Sequence, residues 1–532
     1  MLLNLSNKKL PLFIAVFVVL SYLCFVMYHT VNVLFADDIH LLETVLWMEQ
    51  SPSWAERYHL IMLQHNEHRI VVPRLLAWAI YKTHGQVYWP TLIFIGNAAW
   101  SAVCLIIWKF FKNLQLSYWF FLPIPLLIYQ PQYVDNLTWS ISVLQQSGIV
   151  FLYLLIIYLV SKNKLILPLA LACIATFTHG SGIFAFLIIT ILLIVKQQWK
   201  NIGICLGVGL IMAAWFFTDY AGGQSANIPE SLSNPARLFG SAMAFLGASL
   251  TAFDRYGLSI IPTIITGIFI ASIVMFFVIK TWKKRTESAI IFLYGCVLFI
   301  GLTVALVAVS RSWQGIEAII APRYIHYSPL AIALAYLMLL YLFPNKSQYL
   351  AIIVFSYAFV FNFISYYKYT PEVIMKREAL KADVYNWNHH QLFLSNTFQF
   401  NWNIRPIVSD AEKSSFSTLS KQNWELPTAQ IDSTLHFNLT YYTAGKLPFC
   451  LITNDELDYK GFLVLEAEDR SIFVCGIAPR PNPKSVFFKT LQYNRPGFQV
   501  QQMIETLKKG KYRIGLYQNT KLSMSNQYLE RK

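Results

Sequence analysis

Two adjacent aspartates, Asp37 and Asp38, follow directly after an apolar segment, 11–28, that contains no charged residue. Carboxylates at the edge of a membrane-spanning segment are costly to desolvate, so they are kept mainly where they have a function. A carboxylate in a partly dry site can remove a proton from a hydroxyl group. The pair therefore predicts a catalytic base at the membrane surface, and the sequence leaves open which aspartate acts.

Arginines occur in two polar segments. Arg311 and Arg323 lie between the apolar runs 289–310 and 325–343. Arg69, next to His68, lies in the polar stretch that follows the aspartates. The planar guanidinium group matches the oxygens of a phosphate. We expect Arg311 and Arg323, and next Arg69 and His68, to bind the phosphate of a lipid substrate. The alternative for Arg311 and Arg323 is that they contact lipid headgroups.

Further polar and aromatic residues are candidates for substrate binding. His179 lies in the sequence Thr-His-Gly-Ser-Gly, where it either contacts a sugar hydroxyl or belongs to a turn that the glycines allow to close. Trp139 is suited to stack on a sugar ring, but tryptophans at a membrane interface are common without such a role. The full predicted substrate-binding set is His40, Glu67, Trp139, His179, Glu317 and Tyr324.

A metal site is one alternative for the histidines of the same stretch. His65 and His68 are three residues apart, so on a helix they would share a face, and Asp37 could complete a site for Mg, Mn or Zn. The other reading is that these histidines only form hydrogen bonds at headgroup depth. No cofactor is certain from the sequence.

The composition is that of a protein with many membrane spans. Of 532 residues, 56% are hydrophobic and only 13% are charged, whereas soluble domains have about 25% charged residues. The net charge of +15 comes largely from lysines in short loops between apolar runs, so it does not indicate nucleic-acid binding. The absence of a Walker loop and of a dinucleotide-binding motif argues against energy from bound ATP.

Apolar runs predict about eleven transmembrane helices. They are approximately 11–28, 88–108, 118–129, 139–160, 165–177, 183–195, 202–217, 258–279, 289–310, 325–343 and 349–366.

Lysines predict the orientation of these helices, because positively charged loops stay in the cytoplasm. Lys8, Lys109, Lys162, Lys196 and Lys280 fall on alternate loops, which places the N-terminus inside. Both Lys164 and Lys196 are inside only if the chain turns back at 179–182. The tail then lies outside, in the periplasm if the membrane is bacterial.

The sequence divides into two predicted domains. Residues 1–367 form the transmembrane domain, and its first external loop, 35–87, contains two amphipathic helices at the interface, near 39–48 and 69–80. Residues 368–532 form an external soluble domain that is mainly β, with a sandwich as the expected form. Cys450 and Cys475 share this domain, where a disulfide is allowed but not decided by their spacing.

Several short motifs resemble a family of integral membrane enzymes. They are Asn66-Glu-His-Arg, Pro73-Arg-Leu-Leu, Asn136-Leu-Thr-Trp with Gln145, Thr178-His-Gly-Ser-Gly and Ala321-Pro-Arg-Tyr. Together with the long first loop that opens on an acidic pair, they resemble a bacterial branch of the GT-C glycosyltransferases, similar to the glucosyltransferases that modify O-antigen. The resemblance covers 11–366. It does not extend to the motifs of protein mannosyltransferases or oligosaccharyltransferases, and the tail has no recognisable catalytic signature.

This resemblance implies an inverting enzyme of the bacterial cytoplasmic membrane. It would transfer a sugar from a polyprenyl-phosphate-linked donor to a glycan or lipid acceptor on the outer face, with Asp37 or Asp38 as base. The closest alternative is an O-antigen polymerase or ligase, although the large helical loop comes first in this chain. A flippase or transporter of lipid-linked sugars would place charges near the bilayer midplane, and a sugar-binding receptor is the remaining option.

Overall fold

The computed structural model describes residues 9–223, 226–253, 260–395, 398–419, 421, 424–444 and 447–531. Lys8 and the first two residues of the predicted span 258–279 lie outside these ranges. The chain forms two compact units. The first comprises Met1–Tyr28, Pro52–Leu76 and Leu92–Tyr366, and the second comprises His29–Ser51, Ala77–Thr91 and Tyr367–Lys532.

Helices account for most of the chain before the C-terminal strands. In chain order they are α1 (Lys9–His29), α2 (Ile39–Gln50), α3 (Trp54–Met62), α4 (Val71–His84), α5 (Trp89–Lys112), α6 (Pro123–Ile128), α7 (Asp135–Thr138), α8 (Ser140–Ser161), α9 (Ile166–Thr176), α10 (Ala185–Val195), α11 (Trp199–Phe217), α12 (Ile228–Leu232), α13 (Pro235–Gly247), α14 (Ile260–Thr281), α15 (Ser288–Arg311), α16 (Pro322–Ile325), α17 (Tyr327–Leu342), α18 (Ser347–His390), α19 (Phe398–Lys413) and α20 (Lys484–Thr490).

Nine helical segments of the described residues are long and apolar enough to cross a membrane. Three shorter apolar helices, Tyr118–Ile128, Ile166–Thr176 and Gly180–Val195, coincide with the three shortest predicted spans. The other eight predicted spans fall on eight of the nine long segments. The chain is therefore a polytopic α-helical membrane protein, as the composition indicates.

The ninth segment, Pro235–Phe253, was missed because glycine, alanine and serine lower its hydropathy. Just before it, the Ser231 hydroxyl accepts a hydrogen bond from Trp313 N at 3.2 Å. Near its end, Ser249 N donates to the hydroxyl of Ser328, at the start of α17, at 2.9 Å. Trp313 lies in the connection between α15 and α17 and Ser328 lies just after it, so these two bonds attach both ends of the segment to this part of the unit.

The chain turns back between α9 and α10 at the predicted position. The Lys196 ammonium donates to Val160 O at 2.7 Å, so it lies near Lys162 at the end of α8. A Cβ atom at Gly182 would lie 1.8 Å from Ala175 O. Glycine is thus required for this turn to close.

The second unit contains the C-terminal strands. The first two strands of the chain, β1 (Gln64–His65) and β2 (His68–Arg69), belong to the first unit. The strands of the second unit are β3 (Ala429–Ile431), β4 (Asn438–Ala444), β5 (Leu447–Asn454), β6 (Phe462–Ala467), β7 (Ile472–Gly476), β8 (Ala478–Pro481), β9 (Asn494–Met503), β10 (Gly510–Gln518) and β11 (Lys521–Arg531).

These strands form two sheets, in the orders β3-β11-β10-β6-β7 and β4-β5-β9-β8. One core contains side chains from both sheets, among them Ile452 and Val500 from the second and Leu465 and Ile514 from the first. The predicted C-terminal region of β-sheet is confirmed, but the domain predicted from residue 368 begins with helix, because α18 continues to His390 and α19 follows it. Cys450 and Cys475 are both buried in this core as free thiols, so the structure contains no disulfide between them.

The predicted first loop, 35–87, is divided between the two units. Its amphipathic helices are present as α2 and α4, but α3 and the hairpin β1–β2 were not foreseen. In the second unit, Glu49 of α2 accepts from the Trp78 indole at 2.7 Å and pairs with Lys82 at 2.6 Å. Val87 N donates to Phe416 O at 3.1 Å. The first two contacts join α2 to α4, and the third joins the end of the loop to the C-terminal part of the chain.

Close helix packing gives a first prediction. A Cβ atom at Gly267 of α14 would lie 1.9 Å from Met243 O of α13, so Gly267→Ala should force the two helices apart. We expect a loss of about 1–3 kcal/mol in the free energy of unfolding, measured as a lower thermal midpoint of the purified protein in detergent. The control is Gly207→Ala in α11, where the added methyl group meets nothing within 4 Å. Equal midpoints for the two variants would contradict this packing.

Candidate functional site

A two-residue turn carries the central polar residues of the first unit. Strands β1 and β2 pair antiparallel, with His65 opposite His68, and Asn66 in the turn has a φ of 51°. The expectation that His65 and His68 share a helix face is therefore wrong, because Asn66 readily adopts the positive φ that a tight hairpin turn needs. Asn66 and Glu67 lie at the tip of this hairpin.

Arginine side chains fix the base of the hairpin. The Arg69 guanidinium donates to the carbonyls of Met62, at the end of α3, and of Phe216 and Thr218, at the end of α11. Arg74 donates to the carbonyls of Ile61 and Leu63. Arg69 is buried and its nitrogens donate to main-chain oxygens at helix ends, and it also contributes to the lining of a cavity of about 480 Å³. Its predicted contact with a phosphate stays a prediction.

A cavity of about 230 Å³ lies beside the hairpin tip. Glu67, His68, His179, Arg311 and Tyr324, all predicted site residues, contribute to its lining. Gln146 and Tyr327 also line it. The structure thus brings together residues that are up to 257 positions apart in sequence, counted from Glu67 to Tyr324.

The two histidines pack against each other with their ring centroids 4.3 Å apart. Gly180 N donates to Nδ1 of His68 at 3.0 Å, and Ser181 N donates to Nδ1 of His179 at 3.2 Å. An imidazole nitrogen that accepts a main-chain N–H carries no proton, so in each neutral ring the proton is on Nε2. Both histidines therefore carry the proton on Nε2, and Nε2 of His179 lies 3.5 Å from the side-chain nitrogen of Gln146.

Burial favours this neutral state. Loss of solvent lowers the pKa of His179 to about 4. The pKa of His68 is also lowered, first by burial and then by the nearby His179. Gly180 permits the close approach, because a Cβ atom there would lie 2.5 Å from Nδ1 of His68. The glycines thus serve both the turn and the position of the histidines.

Arg311 lies at the C-terminal end of α15 and forms a loose ion pair with Glu67. The nearest nitrogen and oxygen are 3.8 Å apart, and both side chains are about one-fifth exposed. A bidentate arginine–carboxylate pair has shorter contacts, below about 3 Å. The pair therefore supplies one positive and one negative group to the cavity without a tight contact between them.

Other predicted residues of the first unit lie apart from this lining. The Arg323 guanidinium lies over the ring of Tyr324 at 5.1 Å, and its Nε is buried without a hydrogen-bond partner among the described residues. Glu317 is exposed on the connection before α16. Trp139 is buried at the start of α8, so it does not present a ring face for stacking.

The acidic pair belongs to the second unit. Asp38 is 1% exposed, and its carboxylate accepts a hydrogen bond from Phe35 N at 3.2 Å. This contact begins a short 3-10 turn that leads into α2. Asp37 is only partly buried. His40 lies 3.4 Å from Glu43 one turn further on.

A metal site stays a prediction. Across the described part of the chain, no three His, Cys, Asp or Glu side chains are grouped closely enough to hold a metal ion.

A second cavity of the same unit, of about 480 Å³, is lined in part by other residues of the hairpin, Asn66 and Arg69. Its lining includes Tyr58, Trp215, Asp219 and Gln64, and the Trp215 indole donates to the Tyr58 hydroxyl at 2.7 Å. Among these residues the sequence indicates only Asp219, as one of the polar residues between apolar runs; Tyr58, Trp215 and Gln64 were missed, as were Gln146 and Tyr327. Gln146 lies one residue beyond the Gln145 of a quoted motif, which was the only available signal.

Neither a family model, nor a curated protein, nor a solved structure matches this chain. Fold and site therefore define the class only as a polytopic membrane protein with a C-terminal region of β-sheet.

The lowered histidine pKa values predict a pH dependence of stability. Below about pH 6.5 the unfolded chain binds protons at His68 and His179 that the folded chain does not bind. Stability should therefore be complete above pH 6.5 and fall as the pH drops toward 4, by about 1.4 kcal/mol for each unit of pKa lowering. Thermal unfolding in detergent between pH 4 and 8 measures this loss.

In His179→Gln, the loss of stability as the pH is lowered should be smaller than in the unchanged protein. His59→Gln is the matched control, because His59 is exposed on α3. If both variants keep the original pH profile, burial of His179 is not the cause of the loss.

Proposed function

We propose that the protein is a membrane glycosyltransferase that takes a sugar from a polyprenyl-phosphate-linked donor. The acceptor would be a cell-surface glycan or lipid at the outer face of the bacterial cytoplasmic membrane. The single observation that supports this best is the cavity in which Arg311, Glu67, His68 and His179 meet. It lies in a unit that contains helices long and apolar enough to cross a membrane, where a substrate with a lipid tail would be held.

The groups in the cavity suit a sugar phosphate. Arg311 offers a permanent positive charge to the phosphate, and electrostatic stabilisation of a leaving anion is often the largest catalytic contribution. The Nε2–H groups of two neutral histidines are donors for phosphate or sugar oxygens. Glu67 is an acceptor for sugar hydroxyls. At about 230 Å³ the cavity lies below the usual range for drug-sized ligands, which suits a phosphate and one sugar better than a whole lipid.

The reaction is a displacement at the anomeric carbon. Asp37 or Asp38 takes the proton of the acceptor hydroxyl, and that oxygen attacks the carbon from the face opposite the phosphate. The bond from this carbon to the phosphate oxygen breaks, and the polyprenyl phosphate leaves with the electron pair. The anomeric configuration is inverted. The assignment of the base rests on the sequence, and exposure favours Asp37 because Asp38 is buried and engaged with Phe35 N.

Arg311→Lys tests the phosphate contact. Lysine keeps the charge but loses the planar pair of donors, so we expect donor turnover to fall by about tenfold to a hundredfold. Purified protein in nanodiscs, a radiolabelled polyprenyl-phosphate sugar and a membrane extract as acceptor source provide the assay. The control is Arg285→Lys, since Arg285 packs on Trp282 in the connection between α14 and α15. Equal turnover by both variants would rule out the role of Arg311.

Separate Asp37→Asn and Asp38→Asn variants test the base. Loss of a general base costs about 10²–10⁴ in rate, and we expect this loss for Asp37→Asn with donor affinity unchanged. At position 38 asparagine still offers an oxygen to Phe35 N, so a loss there would come from the charge and not from the turn. The exposed Glu56→Gln in α3 is the control. Full activity in both aspartate variants would exclude either as base.

The same assay separates the alternative functions. A flippase would move the labelled lipid between leaflets without consuming it. A polymerase or ligase would consume the donor but transfer an oligosaccharide or a whole chain, which the mass of the product reveals.

A further inference from the structure

The second unit contains a cavity that the proposed reaction does not use. It has a volume of about 610 Å³ and lies where the β6–β7 hairpin, the start of β10 and the end of α18 come together. This volume is within the range of about 300–1,000 Å³ that small-molecule sites occupy.

The charges around this cavity are mixed, with an excess of cations. Arg405, Lys508, Lys509 and Lys511 contribute four positive charges, and Glu468 and Asp469 contribute two negative ones, so the excess is two. The three lysines and both carboxylates are exposed at the rim. A ligand with anionic groups and neutral hydroxyls matches this set, because the carboxylates accept from hydroxyls while the cations bind the anions.

The floor of the cavity is rigid and aromatic. The ring centroids of His390 and Phe473 are 4.3 Å apart, and those of Phe473 and Tyr512 are 6.0 Å apart. A nitrogen of His390 lies 2.6 Å from Ile472 O, and the Tyr512 hydroxyl donates to Lys508 O at 2.8 Å. These contacts hold the floor and connect it to one of the rim lysines.

The backbone at the rim is also held by local hydrogen bonds. Asp469 accepts from Ser471 N at 2.9 Å in the tip of the β6–β7 hairpin, and Arg405 donates to Gln391 O at 2.8 Å. The backbone at the rim is therefore fixed before a ligand binds, and the cost of ordering is limited to the side chains, about 0.5–1.5 kcal/mol for each lysine.

We propose that this cavity binds an acidic saccharide, with carboxylate or phosphate groups on its sugars. A concave site with carboxylates at its rim fits such a ligand better than it fits a membrane surface. Anionic lipids attract basic segments, and they would repel the two carboxylates. It also fits better than a nucleic acid, because Phe473 and Tyr512 are 6% and 2% exposed and offer no open ring face for base stacking. This inference does not depend on the proposed transfer reaction.

Full-length protein in phosphatidylcholine nanodiscs tests the proposal with a fluorescent tetragalacturonate and a neutral maltotetraose as probes. We expect saturable binding of the acidic probe only. In the double variant Lys508→Glu, Lys511→Glu, binding should weaken at least tenfold, while Lys484→Glu, Lys489→Glu, on the exposed helix α20 of the same unit, should bind like the unchanged protein. Thermal unfolding checks that both double variants are folded.

Three results would overturn the proposal. They are no binding of the acidic probe, equal binding of the neutral probe, and an equal loss in both double variants, which would indicate only general attraction to a basic surface. Displacement of the probe by phosphatidylglycerol vesicles, but not by unlabelled tetragalacturonate, would assign the cavity to lipid headgroups and also reject it.

Discussion

A single guanidinium group, that of Arg69, donates hydrogen bonds to main-chain carbonyls at the ends of two helices of the first unit, α3 and α11. Helix ends leave carbonyl groups without partners inside the helix, and near lipid each unsatisfied group is costly. Arg69 donates hydrogen bonds to the carbonyl oxygens of Met62, Phe216 and Thr218 at the same time. Gln64, which pairs with Arg69 at the base of the hairpin, donates to Gly222 O and accepts from Ala221 N, both at 2.9 Å. The hairpin is thereby fixed to the loop after α11.

The chemistry of the smaller cavity depends on this fixed hairpin. Glu67 and His68 lie at and beside its tip, and the turn at Gly180 reaches them because glycine has no Cβ. That turn supplies the main-chain N–H groups that set the proton on Nε2 of both histidines. Positions and protonation states therefore come from backbone contacts, and these do not require a bound ligand.

Most of the membrane-spanning helices could be predicted from the composition and the apolar runs, whereas only part of the candidate site could be predicted. Long apolar runs identify transmembrane segments because a chain in lipid has few alternatives to a helix. Pro235–Phe253 was not predicted because its small residues, which allow close helix packing, lower its hydropathy. His65 and His68 were placed on a helix because their spacing fits one, but Asn66 allows a hairpin. Arg69 and Arg311 look alike in sequence. Both line cavities, and only the structure shows that Arg69 donates to three main-chain carbonyls whereas Arg311 forms a loose pair with Glu67.

The loose pair of Arg311 and Glu67 suits a site that must both bind and release an anion. A tight bidentate pair would have to be broken before a phosphate could bind, and a lone buried arginine would hold its product too strongly. At 3.8 Å, Glu67 partly compensates the charge of Arg311, and an arriving phosphate can take the guanidinium at small cost. In the proposed reaction, Glu67 would again neutralise Arg311 after the phosphate has left. The neutral histidines add donors to the cavity without adding charge that would oppose this release.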